Sequence, residues 1–168
     1  GELNIMFATR KGNVRRNALS DFSNVMANGK IAIRLGEGDG LVGVATCTED
    51  DNVLLAASGG KCIRFPVTAV RVFKSRTSPG IRGMKLANDD QVISMSILRH
   101  EEINVESRDA FLRWSNARRR GEDVEDTGLG LEEIGAFQER EEFILSVTEN
   151  GFGKRTSAYE CRIARRGG

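Results

Sequence analysis

Three cysteines, two prolines and one histidine are all that the 168 residues contain of those types. Cys47, Cys62 and Cys161 are odd in number and far apart, and are expected to be small buried thiols in a reducing cytoplasm. A zinc site needs clustered ligands, and His100 stands alone, so no metal site is expected. No apolar run approaches the roughly 18 residues of a membrane span. Gly1–Asn4 lacks the basic-then-apolar pattern of a signal peptide. The chain starts without methionine and ends on Gly167-Gly168 inside a motif, as expected of a piece of a longer protein.

Catalytic constellations are also missing. Serine, histidine and acid form no familiar spacing, so no catalytic residue is expected. Gly36-Glu37-Gly38-Asp39-Gly40 is neither a phosphate loop nor a dinucleotide fingerprint, because no helix follows and no Gly-Lys-Ser/Thr is present. Tyr159, the only tyrosine, lacks the basic neighbours and acid cluster of a nucleophile, and packing is its expected role.

What the chain does have is one pattern written three times. In Val53–Pro66 an apolar run meets Ser58-Gly59-Gly60, and a second run stops at Pro66, which has no N–H for a sheet ladder. That is a β-hairpin. Residues 5–16 and 143–155 repeat it, and aligning Gly12, Gly60 and Gly151 places an arginine four residues on in each: Arg16, Arg64 and Arg155. Three copies in register point to a repeat architecture.

The units extend beyond the hairpins. After the first comes a connection through Leu19 and Phe22, then Lys30–Leu35, whose charged–apolar alternation predicts a strand with one wet face, then a strand from Leu41. After the second come Val67–Val72, a basic loop over residues 74–79, Gly80–Leu86, and a strand over Gln91–Leu98. Gly29 and Gly80, Leu35 and Leu86, and Asp39 and Asp90 each lie 51 residues apart, and the two aspartates are expected to serve turns. About four short strands per unit of about 50 residues predicts an all-β, propeller-like array of four-stranded blades, present here in part.

The period breaks after residue 100. The expected division is a blade repeat at 1–48, a second at 49–100, an acidic helical insertion at 101–142 and the start of a third repeat at 143–168. Val105–Arg120 carries Ala110, Phe111, Trp114 and Ala117 at helical spacing, and Leu131, Ile134 and Phe137 mark a second helix. Gly121–Gly130 reads as an acidic linker.

Charge follows the same division. Residues 101–142 sum to −7 and the remainder to +8. The basic side chains cluster with the hairpins: Arg10, Lys11, Arg15 and Arg16; then Arg64, Arg71, Lys74, Arg76, Arg82 and Lys85; then Lys154, Arg155, Arg162, Arg165 and Arg166. Equivalent positions in stacked blades project along one rim, so a cationic stripe is expected, suited to a duplex phosphate backbone. Such contacts position DNA without reading its sequence. Aromatics make up 6% of the chain, too few for the stacking that single strands need.

Asn150–Thr156, Ser20-Asp21-Phe22, Gly36–Asp39 and Gly80–Gly83 closely resemble the C-terminal domain of the bacterial DNA gyrase A subunit. The resemblance covers nearly everything outside 101–142. It implies a six-bladed β-pinwheel with strands exchanged between neighbouring blades, a basic rim that wraps duplex DNA, and ATP-dependent negative supercoiling by a cytoplasmic holoenzyme. The implied partners are duplex DNA, the rest of the gyrase A subunit and the gyrase B subunit. ATP and Mg²⁺ belong to the implied holoenzyme, with no cofactor in this piece. The family box Gln-Arg-Arg-Gly-Gly-Lys-Gly is met only in its core, Arg165–Gly168, with Ala164 in place of the glutamine. The corresponding domain of topoisomerase IV and a protein-interaction scaffold remain the alternative readings. Salt-dependent duplex binding separates the scaffold from both others.

Overall fold

Each hairpin closes in the same way. The strands are β1 (Asn4–Thr9) with β2 (Asn13–Ala18), and, further along, Asp51–Ala57 with Cys62–Pro66 and Phe143–Val147 with Gly153–Ser157. The amides of Gly12, Gly60 and Gly151 donate to the carbonyls of Thr9, Ala57 and Thr148 at 3.0, 2.9 and 2.9 Å. Those glycines have φ of +85°, +86° and +80°, left-handed values that a Cβ would penalise. A three-residue loop ending in a left-handed residue is a favoured hairpin connection. A computed structural model describes residues 2–122 and 127–168, so part of the expected Gly121–Gly130 linker lies outside the described residues.

Two compact units form, residues 1–100 with 163–168, and residues 101–162. In the first, β3 (Leu41–Cys47) pairs with β1, and the following hairpin is β4 (Asp51–Ala57) and β5 (Cys62–Pro66). The two-residue β6 (Ile81–Arg82) belongs to the second repeat by sequence but pairs with β2 of the first, giving the sheet order β3-β1-β2-β6. The strand β7 (Val92–Arg99) completes a second sheet, β5-β4-β7. Strand exchange between neighbouring repeats is thus present.

The exchange has a fixed docking point. The amide of Phe73 donates to the carbonyl of Arg16 at 2.7 Å, and that of Ala164 to the carbonyl of Arg64 at 2.7 Å. Parallel bridges join Arg16 to Val72 and Arg64 to Ile163. Each equivalent arginine therefore receives the chain of the repeat that follows. The core beneath includes Met6, Val14, Val53, Leu55, Phe65, Val70 and Met84, and is continuous across both sheets. Gly83 sits where the two repeats meet, since a Cβ there would lie 2.7 Å from Val14 and 3.0 Å from Leu55.

Not every expected strand forms. Lys30–Leu35 has no strand at all, and within Gly80–Leu86 only Ile81–Arg82 pairs. Alternation alone makes no strand without a neighbour to complete its ladder. Ile81–Arg82 finds β2 of the preceding repeat; residues 30–35 have no partner strand among the described residues. Val67–Ala69 turns as a short 3-10 helix.

In the second unit α1 (Val105–Arg119) is capped by Asn104, whose side chain accepts from the amides of Glu106 at 2.8 Å and Ser107 at 3.4 Å. At the start of α2 (Leu131–Arg140), the Gly130 amide donates to Glu133 at 3.0 Å. Phe111 and Phe137 stack at 5.0 Å, and Tyr159 meets both edge-on at 5.7 and 5.6 Å. The hairpin β8 (Phe143–Val147) and β9 (Gly153–Ser157) forms a two-stranded sheet, with Leu145 and Phe152 exposed.

Candidate nucleic-acid interface

Of the basic side chains that cluster with the hairpins, Arg162 lies 3.5 Å from Asp109, and the other fourteen, expected at a rim, fall into three environments. Arg15, Arg16 and Arg64 are buried, at 0, 4 and 4% exposure, which corrects the expectation that they face solvent. The incoming chain of the next repeat covers them. The Arg15 guanidinium lies 5.1 Å over the Phe7 ring and donates to the carbonyls of Ser78, at 2.7 Å, and Ala32. Burial, and then the Arg76 cation, push Arg15 below its ordinary value. Arg16 lies 3.5 Å from the exposed Glu49 carboxylate. Arg64 donates to the Arg99 carbonyl at 2.8 Å. The Asn52 amide is satisfied when its oxygen faces Arg64 Nε at 3.0 Å and its nitrogen donates to His100 Nδ1 at 2.9 Å, so His100 sits in a structural network.

Arg76 and Arg166 are half-buried. Arg76 donates to the Ile31 carbonyl at 3.0 Å. Arg166 donates to the carbonyls of Ala69, at 3.0 Å, and Arg82. The box core thus docks on the second repeat, where Gly167 also exchanges backbone bonds with Gly83 and Lys85 at 3.0 Å each.

Arg10, Lys11, Arg71, Lys74, Arg82, Lys85 and Arg165 are exposed in the first unit, and Lys154 and Arg155 in the second. Arg71 covers the Phe73 ring at 3.7 Å, and Arg155 the Phe143 ring at 4.3 Å. Lys11 is fastened at the tip of the first hairpin, its ammonium donating to the Glu37 carbonyl and its amide to Asp39 at 2.9 Å.

The turn aspartates act alike. Asp39 accepts from the amides of Lys11 and Gly40, and Asp90 from the Ser58 hydroxyl at 2.7 Å and the amides of Gly59 and Gln91. Each carboxylate ties its turn to the hairpin tip of its own repeat. Burial works against ionisation of Asp39, but the donors around it outweigh that and hold it below the ordinary carboxylate range. At Asp90 the Ser58 hydroxyl, then the Gly59 amide, lower it.

The loop over residues 74–79 bulges from the edge of β2. Buried Asn17 donates to the carbonyls of Phe73 at 2.8 Å and Ser75 at 3.4 Å, while Arg15 holds Ser78. The loop thus presents Lys74 and Arg76 on a fixed base. Beside them lies Lys30, which sequence reasoning missed. Its position 51 residues before Ile81, in the pairing segment of the second repeat, was the available signal.

Ion pairing separates the two units. The first unit carries net +7 and the second −6. In the second, Arg108, Arg119, Arg120, Arg140 and Arg162 all lie within 4.0 Å of carboxylates. In the first, among the described residues, none of Arg10, Arg71, Lys74, Arg76, Arg82, Lys85 and Arg165 has such a partner. Unneutralised cations on one unit are what an anionic polymer requires.

Other chemistry finds little footing. Tyr159 is buried, its hydroxyl donating to Glu101 at 3.2 Å and Phe137 at 3.3 Å; burial, then the Glu101 charge, raise its phenol. Among the described residues no three His, Cys, Asp or Glu side chains group as a metal requires. Cys47 is buried, which pushes its thiol up to about 11, whereas Cys62 is exposed and Cys161 half-buried, against the expectation for those two. No helix among the described residues is long and apolar enough to cross a membrane.

The profile of a family described as DNA gyrase C-terminal domain, beta-propeller, matches residues 3–48, 51–99 and 142–168. The DNA gyrase A subunit of Granulibacter bethesdensis is 50% identical over 99% of this chain and 20% of its own length. The chain spans about a fifth of the length of the curated relatives it matches. Among solved structures, the C-terminal domain of a DNA topoisomerase IV superposes with a TM-score of 0.69 at 17% identity, over 99% of this chain and 40% of that one. A DNA gyrase A C-terminal domain gives 0.67 at 20% identity, over 99% and 41%. These neighbours share the fold. With the family profile covering both repeats and the third hairpin, the chain belongs to the DNA gyrase C-terminal domain, β-propeller, family.

Proposed function

We propose that this chain is a duplex-DNA-binding segment of a bacterial gyrase A subunit, which bends DNA along the edge of its blades. The observation that carries the reading is the set of exposed cations on the first unit with no carboxylate partner among the described residues, in contrast to Arg108, Arg119, Arg120, Arg140 and Arg162 of the second unit, which are paired. Arg10, Arg71, Lys74, Arg82, Lys85 and Arg165 contact phosphates there, and Lys154 and Arg155 of the third hairpin are the exposed cations that do so in the second unit. Contacts of this kind follow the backbone and leave base sequence unread. In the whole enzyme the partners are the rest of the gyrase A subunit and the gyrase B subunit, in the bacterial cytoplasm. ATP and Mg²⁺ serve other segments there, and this segment contributes the curvature of the DNA.

The test is fluorescence anisotropy with two unrelated linear duplexes across a salt series. The reading expects equal affinities and a log–log slope of about −0.9 for each phosphate neutralised. Salt-independent binding, lost on deleting 101–142, supports the scaffold instead. The relatives at about half identity are gyrase A subunits, which favours gyrase over topoisomerase IV.

A further inference from the structure

A cleft of about 370 Å³ opens between the chain at Lys30 and Ile31 and the loop at Lys74, Ser75, Arg76 and Thr77. It lies within the first unit. We infer that this cleft is a seat for one DNA phosphodiester, held by the charges of Lys30, Lys74 and Arg76 and by the hydroxyls of Ser75 and Thr77. The inference rests on the duplex-binding reading and names a particular place for it.

The walls are built from behind. Buried Arg15 bonds both sides, donating to Ala32 on one and to Ser78 on the other. Asn17 fastens the start of the loop through Phe73 and Ser75. Arg76 spans the cleft with Nη1 on the Ile31 carbonyl at 3.0 Å, which leaves Nε and Nη2 of its fork as donors. Lys30 is steadied by the Asp21 carbonyl at 2.8 Å, a neutral acceptor that leaves its charge uncompensated. The Asp21 carboxylate itself takes an Asn17 hydrogen at 3.3 Å.

The lining suits a tetrahedral anion. It holds three cations and no carboxylate. The Ser75 and Thr77 hydroxyls stand 2.7 Å apart, and the Thr77 amide donates to Ser75 at 3.2 Å. One hydroxyl proton joins the pair and the other points to a third acceptor. The Arg76 cation already works against its neighbour Arg15, a repulsion that a bound anion relieves. Two polar atoms next to the loop, Arg15 Nε and Ser78 Oγ, lack hydrogen-bond partners.

The test pairs duplex titrations with a small-anion probe on the full chain. Lys30→Ala with Lys74→Ala weakens all duplexes alike and reduces the salt slope by about 1, the amount of one lost phosphate contact. Thr77→Val weakens binding severalfold at unchanged net charge. Arg113→Ala with Arg118→Ala, an equal loss of charge on α1, changes neither. Inorganic pyrophosphate shifts the Ser75 and Thr77 amide resonances of the wild type, and not those of the double variant. If the wild type binds duplex and both variants match it, the seat is wrong and the duplex reading stands. If pyrophosphate shifts those resonances but no duplex binds, the seat stands as an anion site and the duplex reading fails. If neither ligand binds, both fail.

Discussion

Arg166 Nε donates to the Ala69 carbonyl at 3.0 Å, and its Nη1 reaches the Arg82 carbonyl. The second arginine of the box core therefore staples residues 163–168 to the second repeat, while its neighbour Arg165 is exposed. The two should behave oppositely. Arg166→Ala is expected to destabilise the first unit by about 1–2 kcal/mol, as the charge-assisted bonds of a half-buried guanidinium are lost. Arg165→Ala is expected to leave the denaturation midpoint unchanged and to weaken duplex binding. Urea titrations beside anisotropy separate them; equal stability of the two variants would deny Arg166 its role as staple.

On the duplex-binding reading, Arg15 is expected to act on DNA without touching it. Its removal in Arg15→Ala leaves the Ser78 and Ala32 carbonyls without their donor and costs about 2–3 kcal/mol. The 74–79 loop loses one of its two anchors, so its amides should exchange with solvent faster than those of β4 and β5. Duplex affinity should fall with them. Hydrogen-exchange mass spectrometry reads the loop directly, and unchanged protection there would leave Asn17 as the sole anchor.

The hairpins were legible in the sequence because their determinant is local. A left-handed glycine must stand at one place in the turn, and Gly12, Gly60 and Gly151 stand there. The turn role of Asp39 and Asp90 was legible for the same reason, as each recurs at a fixed distance. Burial of Arg16 and Arg64 was not, because it depends on Phe73 and Ala164 arriving from the next repeat. The same non-local pairing makes Ile81–Arg82 a strand and leaves Lys30–Leu35 without one. Residue type and spacing alone gave all fourteen cations one role, whereas contacts across repeats divide them into buried, half-buried and exposed.

Acid should loosen the hairpin tips. Asp39 and Asp90 both have folded-state values below the ordinary carboxylate value of about 3.9. A depressed value means that ionisation favours the folded state. The contribution is fully present above the unfolded value and is lost as pH falls through the folded one. Stability from these groups is therefore level from neutral pH to about 5, then declines below about 4. Asp39→Asn with Asp90→Asn keeps an acceptor oxygen at each turn but removes the titration. Its urea midpoint should lie below the wild type at pH 7 and change less with pH between about 5 and 3. An acid limb as steep as that of the wild type would place the titrating groups elsewhere.

Charge on the exposed set should matter in proportion to phosphates contacted. Arg82 and Lys85 flank the stretch that Gly167 and Arg166 hold, and both side chains are exposed. Reversal in Arg82→Glu with Lys85→Glu is expected to weaken unrelated duplexes equally, by well over tenfold at low salt and by less as salt screens the field. Deleting 101–142 should leave this binding in place, because Arg82 and Lys85 lie outside that segment and four of its arginines, Arg108, Arg119, Arg120 and Arg140, are occupied by carboxylates of their own unit. The deletion also removes a net charge of −7. If that charge repels DNA, affinity rises at low salt and the gain disappears at high salt; an unchanged affinity at both would mean that the insertion lies beyond the reach of the bound duplex. A loss confined to one base sequence in the charge-reversal variant would contradict phosphate contact, since a phosphate presents the same oxygens whatever base it carries.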